Sequence, residues 1–220
     1  RQRQMCIRDS DYMLVYSAYE QGRPNAVELL KDYLDVYPAS RHADEVNFLI
    51  GSAHFGQGEY QKAIFWFNES NIDMLSPEQQ EAYCFRLAYS LLQIGDMEKA
   101  RGYFARIEQI GTKYREASTY YVAYIDYATG KYNNALVEFT RLKDLPDYKE
   151  RSLCYITQIY FIQNKYEKVI SEGKELLASY PDSENNSEVY RIMGNAYYHL
   201  GNEDQAINCL LYTSDAADDL

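Results

Sequence analysis

The sequence predicts an all-α protein built from stacked helix pairs, and three observations lead to this fold class. Strings with a shared pattern recur every 34 to 37 residues along most of the chain. Apolar residues before and after each recurrence follow the spacing i, i+3, i+4 and i+7, which is the helical period. Each recurrence begins with Gly or Asn, which accept the left-handed backbone at helix ends. Because a lone helix pair cannot bury its apolar face, we expect neighbouring pairs to stack.

The recurring strings define six units. They are GRPNAVELL (22–30), GEYQKAIFWF (58–67), GDMEKARGYF (95–104), GKYNNALVEF (130–139), NKYEKVISEG (164–173) and GNEDQAINCL (201–210). Their first residues are the turn residues, at which we expect the chain to pass from the first to the second helix of a pair: Gly22, Gly58, Gly95, Gly130, Asn164 and Gly201. The units are expected at about residues 11–40, 41–77, 78–112, 113–146, 147–183 and 184–208, the last of them truncated.

Small residues at fixed distances from the turn residues predict close contacts between the helices of a pair. Gly51 and Ala88 lie seven residues before a turn residue, and Ala63 and Ala100 lie five residues after one. The larger Phe67, four residues beyond Ala63, is expected to fill the space that remains. Prolines near the unit boundaries are expected to stop the second helices: Pro38, Pro77, Pro146 and Pro181.

The combined pattern, L-G-x2-Y…A-x3-F…P, resembles the tetratricopeptide repeat (TPR) of 34 residues. The resemblance covers essentially all of residues 11–208, and it implies a right-handed superhelical solenoid that acts as a non-catalytic protein–protein interaction scaffold. The fifth unit departs from the pattern, with Val169 and Gly173 where Ala and Phe are expected. The only Trp, Trp66, lies in a second helix rather than a first. These departures concern local packing and leave the predicted fold unchanged.

Two stretches that contain Tyr-Pro-x-Ser, residues 36–64 and 179–207, are similar to TPR proteins of the bacterial cell envelope. The similarity is to the Tol-Pal coordination and outer-membrane assembly lipoprotein type. It implies a part of a larger bacterial protein that is periplasmic or associated with the outer membrane. Cytoplasmic TPR proteins share this pattern, so a cytoplasmic location stays open. A second alternative is a nutrient-uptake or glycan-binding lipoprotein with embedded TPR units, which requires a long irregular insertion between repeats.

The two ends of the chain differ from the repeats. One DNA segment, read on its two strands, can encode both Arg1–Asp9 and Cys209–Asp218. This DNA resembles a transposase sequencing adapter. We therefore expect residues 1–10 and 209–220 to be adapter-derived, and residues 11–208 to be a piece of a longer natural protein. Helix is expected to run through both junctions and to fray beyond Tyr212.

Charge and motif content disfavour nucleic-acid binding and catalysis. The chain has 22 Lys and Arg against 33 Asp and Glu, a net charge of −11, whereas nucleic-acid binders need a basic surface. Phosphate-binding, nucleophile and metal-ligand motifs are missing, so we expect no enzyme activity, cofactor or metal. The three histidines, His42, His54 and His199, fall in different units. Cys84 and Cys154 lie among apolar residues and are expected to be buried. No apolar run is long enough to predict membrane contact.

Tyrosine is abundant, at 24 of 220 residues, and suggests a partner-binding face. In TPR proteins the fifth, ninth and twelfth positions of each unit point from the first helices into a concave groove. The resemblance transfers these positions to the first-helix face, which we define as Phe48, Ser52, Phe55, Phe85, Tyr89, Leu92, Tyr120, Tyr124, Tyr127, Gln158, Phe161, Arg191, Asn195 and Tyr198, with Cys154 at the remaining position.

Two interpretations of this face stay open. Its rings either pack only between successive first helices, or form an amphipathic groove for a peptide or helix of a partner. A basic clamp for a carboxylate is disfavoured, because only Arg191 and Asn195 supply its residue types.

Overall fold

The computed structural model describes the backbone of residues 2–218 and the side chains of residues 7–212. Twelve α-helices form six consecutive pairs in this part of the chain, which contains no strand. The first three pairs are α1 (Gln2–Glu20) and α2 (Ala26–Val36), α3 (Ala43–Gly56) and α4 (Tyr60–Asn68), and α5 (Pro77–Gln93) and α6 (Met97–Ile110). The last three are α7 (Arg115–Ala128) and α8 (Tyr132–Leu142), α9 (Pro146–Ile162) and α10 (Tyr166–Ser179), and α11 (Asn186–His199) and α12 (Glu203–Asp218). The predicted all-α class is confirmed.

The chain divides into two compact units. Unit 1 extends to Ser118, and unit 2 begins at Thr119. The segments between helices are short, and the one between α4 and α5 contains a single 3-10 turn at Ile72–Met74.

Each predicted turn residue has a left-handed backbone. The φ angles of the five glycines, Gly22, Gly58, Gly95, Gly130 and Gly201, lie between 63° and 87°, and φ of Asn164 is 57°. The turn at Gly58 shows the hydrogen bonding that results. Its N–H donates to the Phe55 carbonyl at 3.0 Å, and the Glu59 N–H donates to the His54 carbonyl at 2.9 Å. These bonds satisfy the last carbonyls of α3, as in the Schellman motif.

Small residues and phenylalanines fill the contact between helices in unit 1 as predicted. Ala63, Ala88, Ala100 and Phe67 are completely or almost completely buried. A Cβ atom on Gly51 would lie only 2.7 Å from the Phe67 ring, so the ring occupies the space that a side chain would need. The helices of this pair therefore pack through glycine against phenylalanine.

In the fifth pair, in unit 2, a residue of another helix fills the space that phenylalanine fills in the other pairs. A Cβ atom on Gly173 would lie 2.5 Å from the sulfur of Met193 on α11. Met193 belongs to the same buried cluster as Val169 and Leu176. The methionine thus fills the room that the glycine leaves, and Met is suited to irregular gaps.

The prolines follow two patterns, and one prediction is wrong. Pro38 and Pro181 follow the ends of α2 and α10, as expected for helix stops. Pro77 and Pro146 instead begin α5 and α9. A proline suits the first helical position, because its fixed φ is compatible with the helix and the N–H there has no helical partner.

The ends of the chain continue the helical pattern. Helix α1 runs through Ser10, and the Asp9 carboxylate pairs with Arg41 at 3.0 Å. Cys209 is buried in the core of unit 2. Helix α12 continues to Asp218, beyond the Tyr212 at which we expected fraying.

Candidate partner-binding face

In unit 1 two first helices and the start of α4 together carry a cluster of three partly exposed rings. The Phe55 and Tyr89 rings meet edge to face, with centroids 5.7 Å apart. Tyr60, at the start of α4, lies 6.2 Å from Phe55 and 5.9 Å from Tyr89. Such edge-to-face pairs stabilise one another while they leave part of each ring open to solvent.

Other predicted positions in unit 1 serve packing. Phe48 and Ser52 are buried. Phe85 stacks on Tyr114 at 4.6 Å and also lies 5.7 Å from Phe104. The packing interpretation therefore applies to these three positions of the face.

Helix α1 adds tyrosines that the sequence reasoning left out. Counting back from Gly22 as from the other turn residues gives Tyr12, Tyr16 and Tyr19, so the signal was present in the sequence. Tyr16 and Tyr19 line a pocket of about 210 Å³ together with Phe48 of α3. Arg86 of α5 closes this pocket, with its guanidinium 5.7 Å from the centre of the Phe48 ring. The pocket thus combines aromatic walls with one cation and the two carboxylates of Glu20 and Glu78.

In unit 2 the first-helix face is organised around Tyr155, a residue that we did not predict. The Tyr155 ring, on α9, stacks on Phe139 of α8 with ring centroids 4.7 Å apart. Three predicted rings of α7 surround it: Tyr120 at 6.4 Å, Tyr124 at 6.2 Å and Tyr127 at 5.0 Å. Tyr155 lies one residue beyond the predicted position Cys154, so a strict positional rule missed it.

Polar groups lie beside these rings. The Tyr127 hydroxyl donates to the Gln158 side-chain oxygen at 2.9 Å. Arg191 makes two hydrogen bonds to Glu188, at 2.7 and 2.6 Å, and the Asn195 amide donates to the Arg191 carbonyl. Since the guanidinium is already paired with a carboxylate, these residues do not form a free basic clamp.

The remaining predicted residues of the face differ in exposure. Tyr198 is 66% exposed, and Leu92 and Phe161 are partly buried. Phe161 lies 6.1 Å from Tyr166. Within unit 2 the face therefore offers ring surface to solvent mainly at its α11 end.

Burial affects three phenols on or beside this face. Burial raises the pKa of Tyr19, although the Arg86 charge acts in the opposite direction. Burial likewise raises the pKa of Tyr120 and Tyr127. These three rings therefore present an apolar surface and a neutral hydroxyl that can donate and accept hydrogen bonds.

The histidines contact neighbouring side chains. Cys84 is buried as predicted, whereas Cys154 is only partly buried, so the prediction for Cys154 is wrong. His54 contacts the Glu59 carboxylate through Nδ1 at 2.5 Å, whereas His42 stacks on Tyr12 and His199 on Tyr166. Burial raises the pKa of the Cys84 and Cys154 thiols to about 11, so few thiolates form at neutral pH. Over the described residues, no three potential ligands come together as a metal site. Within the same range, no helix has the length and apolarity needed to cross a membrane.

Comparison with known proteins identifies the repeats. Residues 12–72 match one tetratricopeptide repeat model, and residues 81–109 match another. Two parts of the chain, residues 12–72 and 81–109, therefore contain tetratricopeptide repeats. No curated protein matches this chain in sequence.

Solved TPR structures share the fold at low sequence identity. A crystal structure of MamA aligns with 78% of this chain and 98% of its own, at 16% identity and a TM-score of 0.65. YrrB, described as a TPR protein with an unusual peptide-binding site, aligns with 86% of this chain and 92% of its own, at 10% identity and a TM-score of 0.67. A TPR protein from Parabacteroides merdae aligns with 92% of this chain and 77% of its own, at 16% identity and a TM-score of 0.62. These likenesses confirm the TPR solenoid class.

Proposed function

We propose that this TPR chain is a non-catalytic scaffold that binds a peptide or helix of a partner protein on its first-helix face. One observation carries the proposal: in each unit, the first helices carry aromatic rings that are partly or fully exposed. In unit 1 these include Phe55 and Tyr89, and in unit 2 Tyr124, Tyr127 and Tyr198. The peptide-binding site named for YrrB supports this reading of a similar fold.

The chemistry of the face suits an extended or helical segment with apolar side chains. Tyrosine buries a large apolar area, loses little rotamer freedom and keeps a hydroxyl for the partner backbone. The Tyr127 hydroxyl and Gln158 amide already form one such polar pair beside the rings. A partner segment could place apolar side chains between the rings and satisfy its polar groups at their edges.

The test compares the wild-type chain with a Tyr89→Ala, Tyr124→Ala double variant. A library of phage-displayed peptides is selected on the wild type, and the selected peptides are then measured against each protein by calorimetry. We expect the double variant to lose binding, because it removes one ring from the face of each unit.

The matched control is Phe65→Ala. Phe65 is an exposed aromatic residue of α4, a second helix, so its removal should leave binding unchanged. Circular dichroism must show equal helix content in all three proteins. Binding by the double variant at wild-type strength would exclude the face, and a parallel loss of helix would assign these tyrosines to packing.

We further propose that the protein acts at the cell envelope, on the periplasmic side or at the outer membrane, as part of a larger bacterial protein. The support is the repeated Tyr-Pro-x-Ser pattern of residues 36–64 and 179–207. An antibody against the chain, applied to fractionated producing cells, tests location and size together. Signal confined to the cytoplasmic fraction would contradict the proposed location, and a band no larger than this chain would contradict the larger protein.

A further inference from the structure

Arg86 of α5 is a partly buried cation without an ion pair. Arg41, Arg141 and Arg191 each have a nitrogen within 3.0 Å of a carboxylate oxygen. Over the part of the chain that the structure describes, no carboxylate oxygen lies within 4.0 Å of the Arg86 guanidinium. The guanidinium instead lies 5.7 Å from the centre of the Phe48 ring. Because a charge that is removed from water is costly unless it is paired, this position favours an anion from outside the chain.

The pocket around Arg86 is built from three first helices of unit 1. Tyr19 of α1 and Phe48 of α3 line it together with Arg86, and its volume is about 210 Å³. Pockets for drug-sized ligands usually measure about 300–1,000 Å³, so this one suits a single side chain of a partner. Burial raises the pKa of Tyr19, and the Arg86 charge opposes this effect. The phenol therefore lies beside the guanidinium, and both groups can donate hydrogen bonds to one anion.

Two carboxylates of the pocket restrict which anion can enter. Glu20 and Glu78 belong to its lining, and both are exposed. A phosphate group carries a charge of about −1.5 to −2 at neutral pH, so these glutamates would repel it more strongly than a monovalent carboxylate. A carboxylate also accepts two parallel hydrogen bonds from the planar guanidinium of Arg86. The same glutamates would attract Lys or Arg residues beside that carboxylate, in keeping with the net charge of −11 of the chain.

We propose that this pocket binds one Asp or Glu side chain of the partner segment, flanked by Lys or Arg, with its carboxylate on Arg86. The proposal rests on the proposed function, since Phe48 belongs both to the pocket and to the first-helix face. The ion pair would fix the register of the segment on the face, because charge pairing is specific in position whereas packing against rings is less directional. The partner is thus a mainly basic segment with one acidic anchor.

Peptides of defined sequence test this assignment. Random peptides are displayed at the N-terminus of a phage coat protein, selected on the wild type and then synthesised with amidated C-termini. We expect the binding peptides to share an acidic residue next to Lys or Arg. Replacing that residue by Asn or Gln should weaken binding roughly 10- to 100-fold, as should Arg86→Gln, because each removes one partner of a charged hydrogen-bonded pair. The peptide change should have little further effect on Arg86→Gln, a coupling that a merely structural role would not produce.

The control is Arg141→Gln, which makes the same chemical change on the second helix α8 and should bind like the wild type. Circular dichroism must show equal helix content in these proteins. Arg86→Lys keeps the charge without the planar fork and should bind more tightly than Arg86→Gln. The peptide replacement, measured on the wild type, tests the ion pair even if Arg86→Gln does not fold.

The outcomes separate this proposal from the proposed function. Peptides that lose binding to the Tyr89→Ala, Tyr124→Ala variant but bind Arg86→Gln at wild-type strength would overturn the pocket and leave the face intact. Peptides that depend on Arg86 but not on those tyrosines would support the pocket and contradict the face. Binding that requires a free C-terminal carboxylate would overturn the assignment to an acidic side chain. A selection that yields no binding peptide would overturn both proposals.

Discussion

The contact between Gly51 and Phe67 gives the sharpest test of the helix packing. In Gly51→Ala the new methyl group would lie 2.7 and 2.8 Å from two ring carbons of Phe67. The ring cannot yield easily, because it is completely buried and packs near Phe48 at 6.1 Å and Tyr83 at 5.4 Å. Overpacking of this kind costs about 1–3 kcal/mol of unfolding free energy.

A second glycine-to-alanine change separates this cost from helix propensity. Gly102 lies within α6 in the same unit, and a Cβ atom there would meet nothing within 4 Å. Both substitutions gain about 1 kcal/mol from the preference of helices for alanine over glycine. Gly102→Ala should therefore stabilise the protein. The unfolding free energy of Gly51→Ala should be lower than that of Gly102→Ala by about 1–3 kcal/mol.

Thermal unfolding followed by circular dichroism measures this difference. For a chain of this size, 1 kcal/mol corresponds to roughly 3 °C, so the two melting temperatures should differ by about 3–9 °C. Adding Phe67→Leu to Gly51→Ala makes room for the methyl group, and the two changes should show favourable coupling. The packing argument is refuted if Gly51→Ala and Gly102→Ala raise the melting temperature equally.

Three further predictions follow from packing, burial and the chain ends. Ala100→Leu should lower the unfolding free energy by roughly 1–3 kcal/mol, since Ala100 is completely buried. The control is Ala178→Leu at an exposed position, and equal urea midpoints for the two variants would contradict the predicted overpacking. Burial raises the pKa of Tyr83 to about 12. The unfolded phenol ionises near pH 10, so stability should be complete below that pH and decline as the pH rises from about 10 towards 12. Tyrosinate absorbance and helix loss should then change together, and full ionisation before unfolding would refute the burial. Deleting residues 1–10 and 213–220 should change the unfolding free energy by less than about 1 kcal/mol; a cooperative loss of folding would show that these ends belong to the protein.

The sequence alone determined where the chain turns and which residues make the closest helix contacts. Turn positions are local: only glycine or asparagine accepts the left-handed backbone at modest cost, so Gly58 and Asn164 could be assigned without any knowledge of their neighbours. The contact between Gly51 and Phe67 could also be predicted from the sequence, because helical periodicity places both residues on the side where the two helices meet.

Tertiary structure decided which aromatic residues pack and which remain available to a partner. Phe48 and Tyr198 were predicted for the same face by position, yet Phe48 is buried and Tyr198 is 66% exposed. Tyr155, rather than the predicted Cys154, became the centre of the ring cluster in unit 2. Exposure and ring contacts depend on how much surface the adjacent helix pair covers and on the size of its side chains. Both depend on residues some 35 positions apart in sequence, so a rule based on position within one repeat cannot predict them.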